Sequence, residues 1–418
     1  MMRRCGDDTF DFKGKRILIT HPFLYEINGA TIVTLELASF LQEQGARVRV
    51  YTNVFEDPIK QYFSREGIRV DVANKMPRYH LSDFDFVWIN SQTFPVSLLK
   101  ELGDADKVTL APSFIFMHMS AHSFCADEMP YIYNFEESLS SLSLFVSEEA
   151  FDTNKAFFEK LPENTDYYRN PAPLSYGQIS KKRRDGLKKV LVVANFPCSE
   201  LRELKDILEK KNISIDYLGF CGDRYELINE RILSNYDAVI SIGKTVQYCL
   251  VSGTPIYIYG QYGGPGWLNV KNYAKAKKNN FSGRGFRDKT SEEIVDDLIR
   301  GYLKAKRFYN EKQDVFINEY LIDKVATRIF MKAAASKKTI EPFSSARVAA
   351  HTSLLRLVEI DFVHWYDSFR NSSRMQQYDE LMNKKHELEN INRAQNEILQ
   401  SRSIRAWLKL NRIIRRKK

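Results

Sequence analysis

Gly243, Lys244 and Thr245 stand in a row inside "YDAVISIGKTVQYCLVSGTPIYIYGQYGGPGWL", residues Tyr236 to Leu268. Gly-Lys-Thr is how a nucleotide-binding P-loop ends, but such a loop needs an earlier glycine so that its amides can wrap a phosphate. Here that position is Ala238, inside a strand-like run, so a P-loop is rejected. What remains is a helix starting directly after Gly243. Its free amides favour an anion, Lys244 adds a charge and Thr245 a hydroxyl. The bland alternative is that Gly243 only turns the chain and Lys244 is solvated. Gly263 and Gly264 would let backbone approach a ligand closely, or else form a plain turn with Trp267 in a core. His118, after the apolar "FIFM", could accept or orient a proton, or be a hydrogen-bonded structural histidine. His21 is a further candidate cleft residue, and Arg202, Lys205 and Arg284 are candidate cations.

The elements that would position these residues alternate. Strands are predicted at Arg16–Thr20, Phe86–Asn90 and 108–112, with a helix after Gly29 and another over 135–142. The segment "YYRNPAPLSYGQISKKRRDG" interrupts with prolines, glycines and charges and marks a domain boundary. Alternation then restarts: strands at 190–193, 215–219, Ala238–Ser241 and 256–259, helices at 199–210, 223–234 and Lys244–Ser252. The expected class is α/β, two Rossmann-like domains in tandem followed by a helical extension. The expected boundaries are a leader over 1–14, an N-terminal domain over 15–175, a C-terminal domain over 186–335, a linker and helix over 336–373, and a charged helix with a basic tail over 374–418.

Composition limits the function classes. The chain has 418 residues, 44% of them hydrophobic, enough for two or three domains with cores. No apolar run approaches a membrane span, and the start lacks an apolar signal region. Cys5, Cys125, Cys198, Cys221 and Cys249 are odd in number and scattered. That speaks against a disulfide framework and a zinc site, and fits a reducing cytosol. No cofactor or metal is expected.

The order of these motifs resembles GT-B glycosyltransferases, in particular the nucleotide-sugar-dependent family-four group of bacterial surface-polysaccharide type. The matching pieces are Gly29 with the helix behind it, "FIFMHMS" with His118, "RNPAP", Gly243, the Gly253-Thr254-Pro255 turn, Gly263-Gly264 and "NNFSGRGF". The resemblance spans roughly residues 15 to 330. It implies the GT-B fold and hexosyl transfer from a nucleotide-sugar donor to a glycan or lipid-linked acceptor. It places donor contacts at Gly29, Gly243, Lys244, Thr245, Tyr248, Gly263, Gly264 and Arg284, and chemistry at His118 and Lys244. Two family glutamates, one approaching the donor sugar and one holding the ribose, are replaced by Ile240 and Tyr248. A catalytically silent scaffold of a glycan-assembly complex is therefore the competing function.

The net charge of +9 is local: Ser401–Lys418 carries eight Lys or Arg and no acid. Leu381, Leu388, Ile391, Gln395 and Ile398 keep a seven-residue seam over 374–400, read either as a short coiled coil joining a homodimer or as a single solvated helix. Ile404, Trp407, Leu408, Leu410, Ile413 and Ile414 mix with cations alone, which suits an anionic lipid interface. RNA is the rival partner for that charge, but no RNA module accompanies it, so nucleic acid is not an expected partner. The expected location is cytoplasmic, at the inner face of the membrane. Deleting 401–418 is expected to release the protein from anionic vesicles in sedimentation while both domains stay folded. Equal pelleting of the two forms would refute a lipid-binding tail.

Overall fold

In the computed structural model the described residues are 9–123, 128–179 and 186–400, with side chains through residue 372. The first sheet contains β1 (Arg16–Leu24), β2 (Arg47–Phe55), β3 (Arg69–Val72), β4 (Phe86–Asn90), β5 (Ser113–His118), β6 (Ser140–Phe145) and β7 (Thr165–Tyr167). Its order is β3-β2-β1-β4-β5-β6-β7, and every pairing is parallel. This is the doubly wound Rossmann order. Sequences such as "FVWIN" and "SFIFMH" are buried on both faces, as a parallel sheet covered by helices requires.

The second sheet contains β8 (Lys189–Val193), β9 (Ser214–Leu218), β10 (Ala238–Ser241), β11 (Ile256–Gly260) and β12 (Gly263–Trp267), in the order β12-β11-β10-β8-β9. Only β11–β12 among these pairings is antiparallel. The order of the four parallel strands is that of flavodoxin-like folds, so both domains are doubly wound, as expected, but with different strand orders. Together they form the tandem Rossmann-like architecture named GT-B.

Several local expectations are corrected. The strand expected at 108–112 is Ser113–His118, and Ala105–Val108 is a helical turn capped by Asp104. The helix expected over 135–142 stops at Leu139, where β6 begins. Of the helix expected over 223–234 only Glu230–Leu233 forms, capped by Asn229. The C-terminal domain was expected to run to residue 335. Helix Ser291–Tyr320 belongs to it, but helix Ile322–Ala335 crosses back and packs on β5, β6 and helix Gly29–Glu43 of the N-terminal domain. The cause is aromatic: Phe330 lies in an edge-on cluster with Phe12 and Phe86 and stacks on Trp88. Ile340, Phe343 and Leu355 continue along the same domain.

The chain divides after Glu359 into two units; the first holds both sheets, and the second carries the continuation of helix Ser345–Gln400. The seam over 374–400 lies on that helix, and the tail 401–418 lies outside the described residues. Among the described residues no helix is long and apolar enough to cross a membrane.

His21 sits in central strand β1, fully buried, where its Nδ1 accepts from the Phe23 amide at 3.3 Å. It does not line the interdomain cavity described below. Burial pushes its pKa down from 6.5 to about 4, so the folded protein refuses a proton the unfolded chain accepts. Stability from this group is present above pH 6.5 and is lost as pH falls toward 4, by about 3 kcal/mol. His21→Asn, which keeps an acceptor but does not titrate, is expected to flatten the pH dependence of urea unfolding over that window. Identical slopes for both proteins would refute it.

Candidate functional site between the two sheets

The second sheet reverses its strand order between β8 and β10, and in doubly wound sheets ligands bind outside the carboxyl ends of the strands at such a point. A cavity of about 380 Å³ lies there. The β8 exit contributes Ala194, Asn195, Phe196 and Cys198, and the β10 exit contributes Ser241, Gly243, Lys244 and Thr245. The N-terminal domain contributes Ile27, Asn28 and Gly29. Ser241 Oγ donates to the Val193 carbonyl at 2.7 Å and so ties the two strand exits together.

Three helices begin at this cavity. Helix Gly29–Glu43 is closed by a capping box in which Asn28 Oδ1 accepts from the Thr31 amide at 2.9 Å and Thr31 Oγ1 accepts from the Asn28 amide at 3.1 Å. Helices Ser199–Glu209 and Lys244–Ser252 start behind Cys198 and Gly243 with no side-chain cap. The Lys244 and Thr245 amides behind Gly243 therefore remain for an anion in the cavity, with that helix dipole directed at it, whereas behind Cys198 the Leu201 amide faces the Cys198 thiol and the Glu200 amide its own carboxylate. Gly243 has φ 61° and ψ −132°, a conformation other residues avoid. A Cβ there would meet nothing within 4 Å, so conformation and not crowding selects glycine.

The N-terminal loop is clamped from across the cleft. Tyr225 Oη accepts from the Ile27 amide at 3.0 Å, and Asn195 Nδ2 donates to the Ile27 carbonyl at 2.9 Å. Asn195 Oδ1 also accepts from the Phe220 amide at 3.3 Å, joining the β8 and β9 exits. Gly219 makes this possible, since a Cβ there would lie 2.0 Å from the Ala194 carbonyl oxygen.

Lys244 is not the solvated surface cation of the bland alternative. It is 6% exposed, its Nζ lies 2.6 Å from Glu36 Oε2 of the N-terminal domain, and it donates to the Asn170 carbonyl at 3.2 Å and to the Pro171 carbonyl. Tyr248 donates its hydroxyl to the other Glu36 oxygen, presents its ring to Lys244 Nζ at 4.6 Å, and stacks on Tyr176 at 4.2 Å. Burial pushes the Glu36 carboxyl up and the Lys244 ammonium down, while their attraction opposes both shifts. A solvated lysine could be removed at little cost in stability, whereas removing Lys244 would leave the Glu36 carboxylate buried without its cation. Ile240, at the other altered glutamate position, is a buried core residue of β10.

The remaining expected site residues are placed as follows. Gly29 and Thr245 line the cavity. Gly263 and Gly264 do not, and the turn expected there is strand β12, with the reversal at Gln261 and Tyr262. Their lack of a side chain is used against protein: added Cβ atoms would stand 2.6 Å from the Arg287 carbonyl oxygen and 2.0 Å from that of Ile258. Arg284 reaches Glu149 of the N-terminal domain through two bonds, at 2.7 and 2.5 Å, and His122 Nε2 at 3.3 Å. His118 is 1% exposed, with Nε2 2.9 Å from Glu136 Oε1 and its ring stacked on Phe145. Glu136 also accepts from Gln92 at 2.7 Å and from Ser143 at 2.6 Å, so His118 belongs to a buried polar network and no acceptor reaches it. Arg202 and Lys205 are exposed on helix Ser199–Glu209 and do not line the cavity.

Sequence reasoning missed Asn28, Asn195, Tyr225, Ser241 and Glu36. "Asn-Gly" before a helical run and "Ala-Asn-Phe-Pro" after a strand were available signals for the first two. Glu36 carried none, because its partner lies 208 positions away.

No family model matches the chain, and no curated relative matches it in sequence. Among solved structures it is similar to a glycosyltransferase from Rickettsia africae ESF-5, at 11% identity and TM-score 0.48, covering 77% of this chain and 98% of that one. It is also similar to WaaG, a glycosyltransferase involved in lipopolysaccharide biosynthesis, at 10% identity and TM-score 0.47, covering 75% and 99%. A putative UDP-N-acetylglucosamine 2-epimerase from Listeria monocytogenes gives 11% identity and TM-score 0.42, covering 79% and 99%. All three scores lie below 0.5, so the chemistry of the cleft is read from its own residues.

Lys244→Ala leaves the Glu36 carboxylate buried without its cation and is expected to destabilise the protein by about 3–5 kcal/mol. Combining Lys244→Met with Glu36→Leu removes both charges and is expected to restore most of that loss. Urea unfolding of the variants checks this, and a Lys244→Ala midpoint equal to wild type would refute it.

Proposed function

We propose that this chain transfers a sugar from a nucleotide-sugar donor to a glycan or lipid-linked acceptor. The observation that carries the proposal is the cavity at the β8/β10 reversal between two α/β domains, onto which the uncapped start of helix Lys244–Ser252 opens. Transfer breaks the bond from the sugar's anomeric carbon to the donor phosphate oxygen and forms one to an acceptor oxygen, whose proton passes to the departing phosphate. Negative charge grows on the departing diphosphate. Fixed amides and helix dipoles stabilise that charge without reorganising during the reaction. Among the lining residues Lys244, whose ammonium is engaged by Glu36 and two carbonyls, offers its backbone amide, and Thr245 offers an amide and a hydroxyl. We assign donor contacts to Gly29, Gly243, Lys244 and Thr245.

The basic tail 401–418, outside the described residues, is the basis for placing this work at the cytoplasmic face of an anionic membrane. A silent scaffold is the second function, favoured by Ile240 and by Tyr248, whose hydroxyl is spent on Glu36.

Calorimetry with UDP, GDP and ADP is expected to show binding by at least one, and incubation with the matching nucleotide sugar and a lipid-linked acceptor is expected to release that nucleotide. Thr245→Glu, which sets a carboxylate among the free amides, is expected to weaken nucleotide binding at least about tenfold while circular dichroism is unchanged. Absence of binding by every nucleoside diphosphate refutes the proposal, and binding without any sugar transfer favours the scaffold.

A further inference from the structure

At the lip of the cavity three aromatic rings stand in a row. Phe196, in the β8 exit, lies 5.7 Å from Phe220, in the β9 exit, and Phe220 meets Tyr225 edge-on at 5.5 Å. Phe196 and Tyr225 both line the cavity. Phe196 is 70% exposed and Phe220 is 55% exposed, although a folded chain ordinarily buries such rings.

The row is held by its surroundings. Tyr225 is fixed through its hydroxyl to the Ile27 amide. The two loops carrying Phe196 and Phe220 are joined twice through Asn195: its side chain accepts from the Phe220 amide, and its carbonyl accepts from the Cys221 amide at 2.9 Å. Asn195 thus builds the support, with its Oδ1 taken by the Phe220 amide and one Nδ2 hydrogen given to the Ile27 carbonyl.

We propose that Phe196 offers the face on which the heterocyclic base of the nucleotide lies, with Phe220, inclined to it by 47°, closing one edge of this platform. The proposal rests on the nucleotide-sugar function above and adds which part of the ligand this lip receives. The phosphates sit at the helix start behind Gly243, and the base extends outward over Phe196. Stacking on an aromatic face is tolerant of base identity, because every base offers a π-face. Selection among bases is therefore weak at this platform.

The test uses the full chain and two probes, uridine diphosphate and inorganic pyrophosphate, in calorimetry. Both rings are exposed, so a Phe196→Ala/Phe220→Ala double variant is expected to fold normally. It is expected to lose about tenfold or more in affinity for uridine diphosphate and to keep its affinity for pyrophosphate. Phe196→Trp, which keeps a stacking face, is expected to bind uridine diphosphate as wild type does. Unchanged uridine diphosphate affinity in the double variant overturns the platform and leaves the phosphate site standing. Equal loss for both probes also overturns it, since the rings would then act on the loops that build the phosphate site. A wild-type protein that binds neither probe overturns the nucleotide function itself and the platform with it.

Discussion

The buried pair of Lys244 and Glu36 holds the two domains to one another and fixes the start of the helix that bounds the site. A lysine ammonium and a carboxylate withdrawn from water are costly, and the cost is offset only where geometry and further hydrogen bonds satisfy both groups. Here the carboxylate receives Lys244 and the Tyr248 hydroxyl, and the ammonium also reaches two carbonyls of the interdomain connection. The cluster therefore specifies a single arrangement of three elements: helix Gly29–Glu43, helix Lys244–Ser252, and the chain at Asn170 and Pro171. A Cβ placed on Gly29 would lie 3.7 Å from Lys244 Cβ, so the glycine that opens the first helix is in register with the cation that opens the other.

Around this cluster the cavity is built from backbone more than from side chains. The exits of β8 and β10 meet through Ser241, the exits of β8 and β9 through Asn195 and Gly219, and the N-terminal loop is clamped at both polar groups of Ile27. Such a site presents amides whose positions are set by the sheet. Helix starts contribute partial positive charge there without a flexible side chain to order.

How much of this was legible in the sequence depends on how local each signal is. Strand Ala238–Ser241 and helix Lys244–Ser252 were found at their bounds, because an apolar run, a glycine and a second apolar run sit next to each other. The tandem doubly wound class followed from the same alternation. Pairings between distant residues were not legible. Lys244 looks solvated when read beside its neighbours, and only Glu36 explains why it can be buried. His118 looked like a candidate base because "FIFMHMS" resembles the acceptor-side segment of GT-B enzymes, while its place after an apolar run suggested a structural histidine; the residue that determines its role is Glu136, itself buried in a segment that reads as a polar helix. Gly263 and Gly264 were recognised as positions that need glycine, and the reason was misassigned, because the crowding comes from Ile258 and Arg287.

Helix Ile322–Ala335 returns the chain to the domain from which it started, so the polypeptide crosses between the domains twice. The crossings lie side by side: the Ala172 amide donates to the Tyr320 carbonyl at 2.7 Å, and the Ile322 amide donates to the Ala172 carbonyl at 2.9 Å. Two parallel straps joined by a short ladder tie the domains along one line, and Lys244, bonded to the carbonyls just before Ala172, adds a side-chain tie beside that seam, so that the join between the domains is stitched at backbone and side chain in one place.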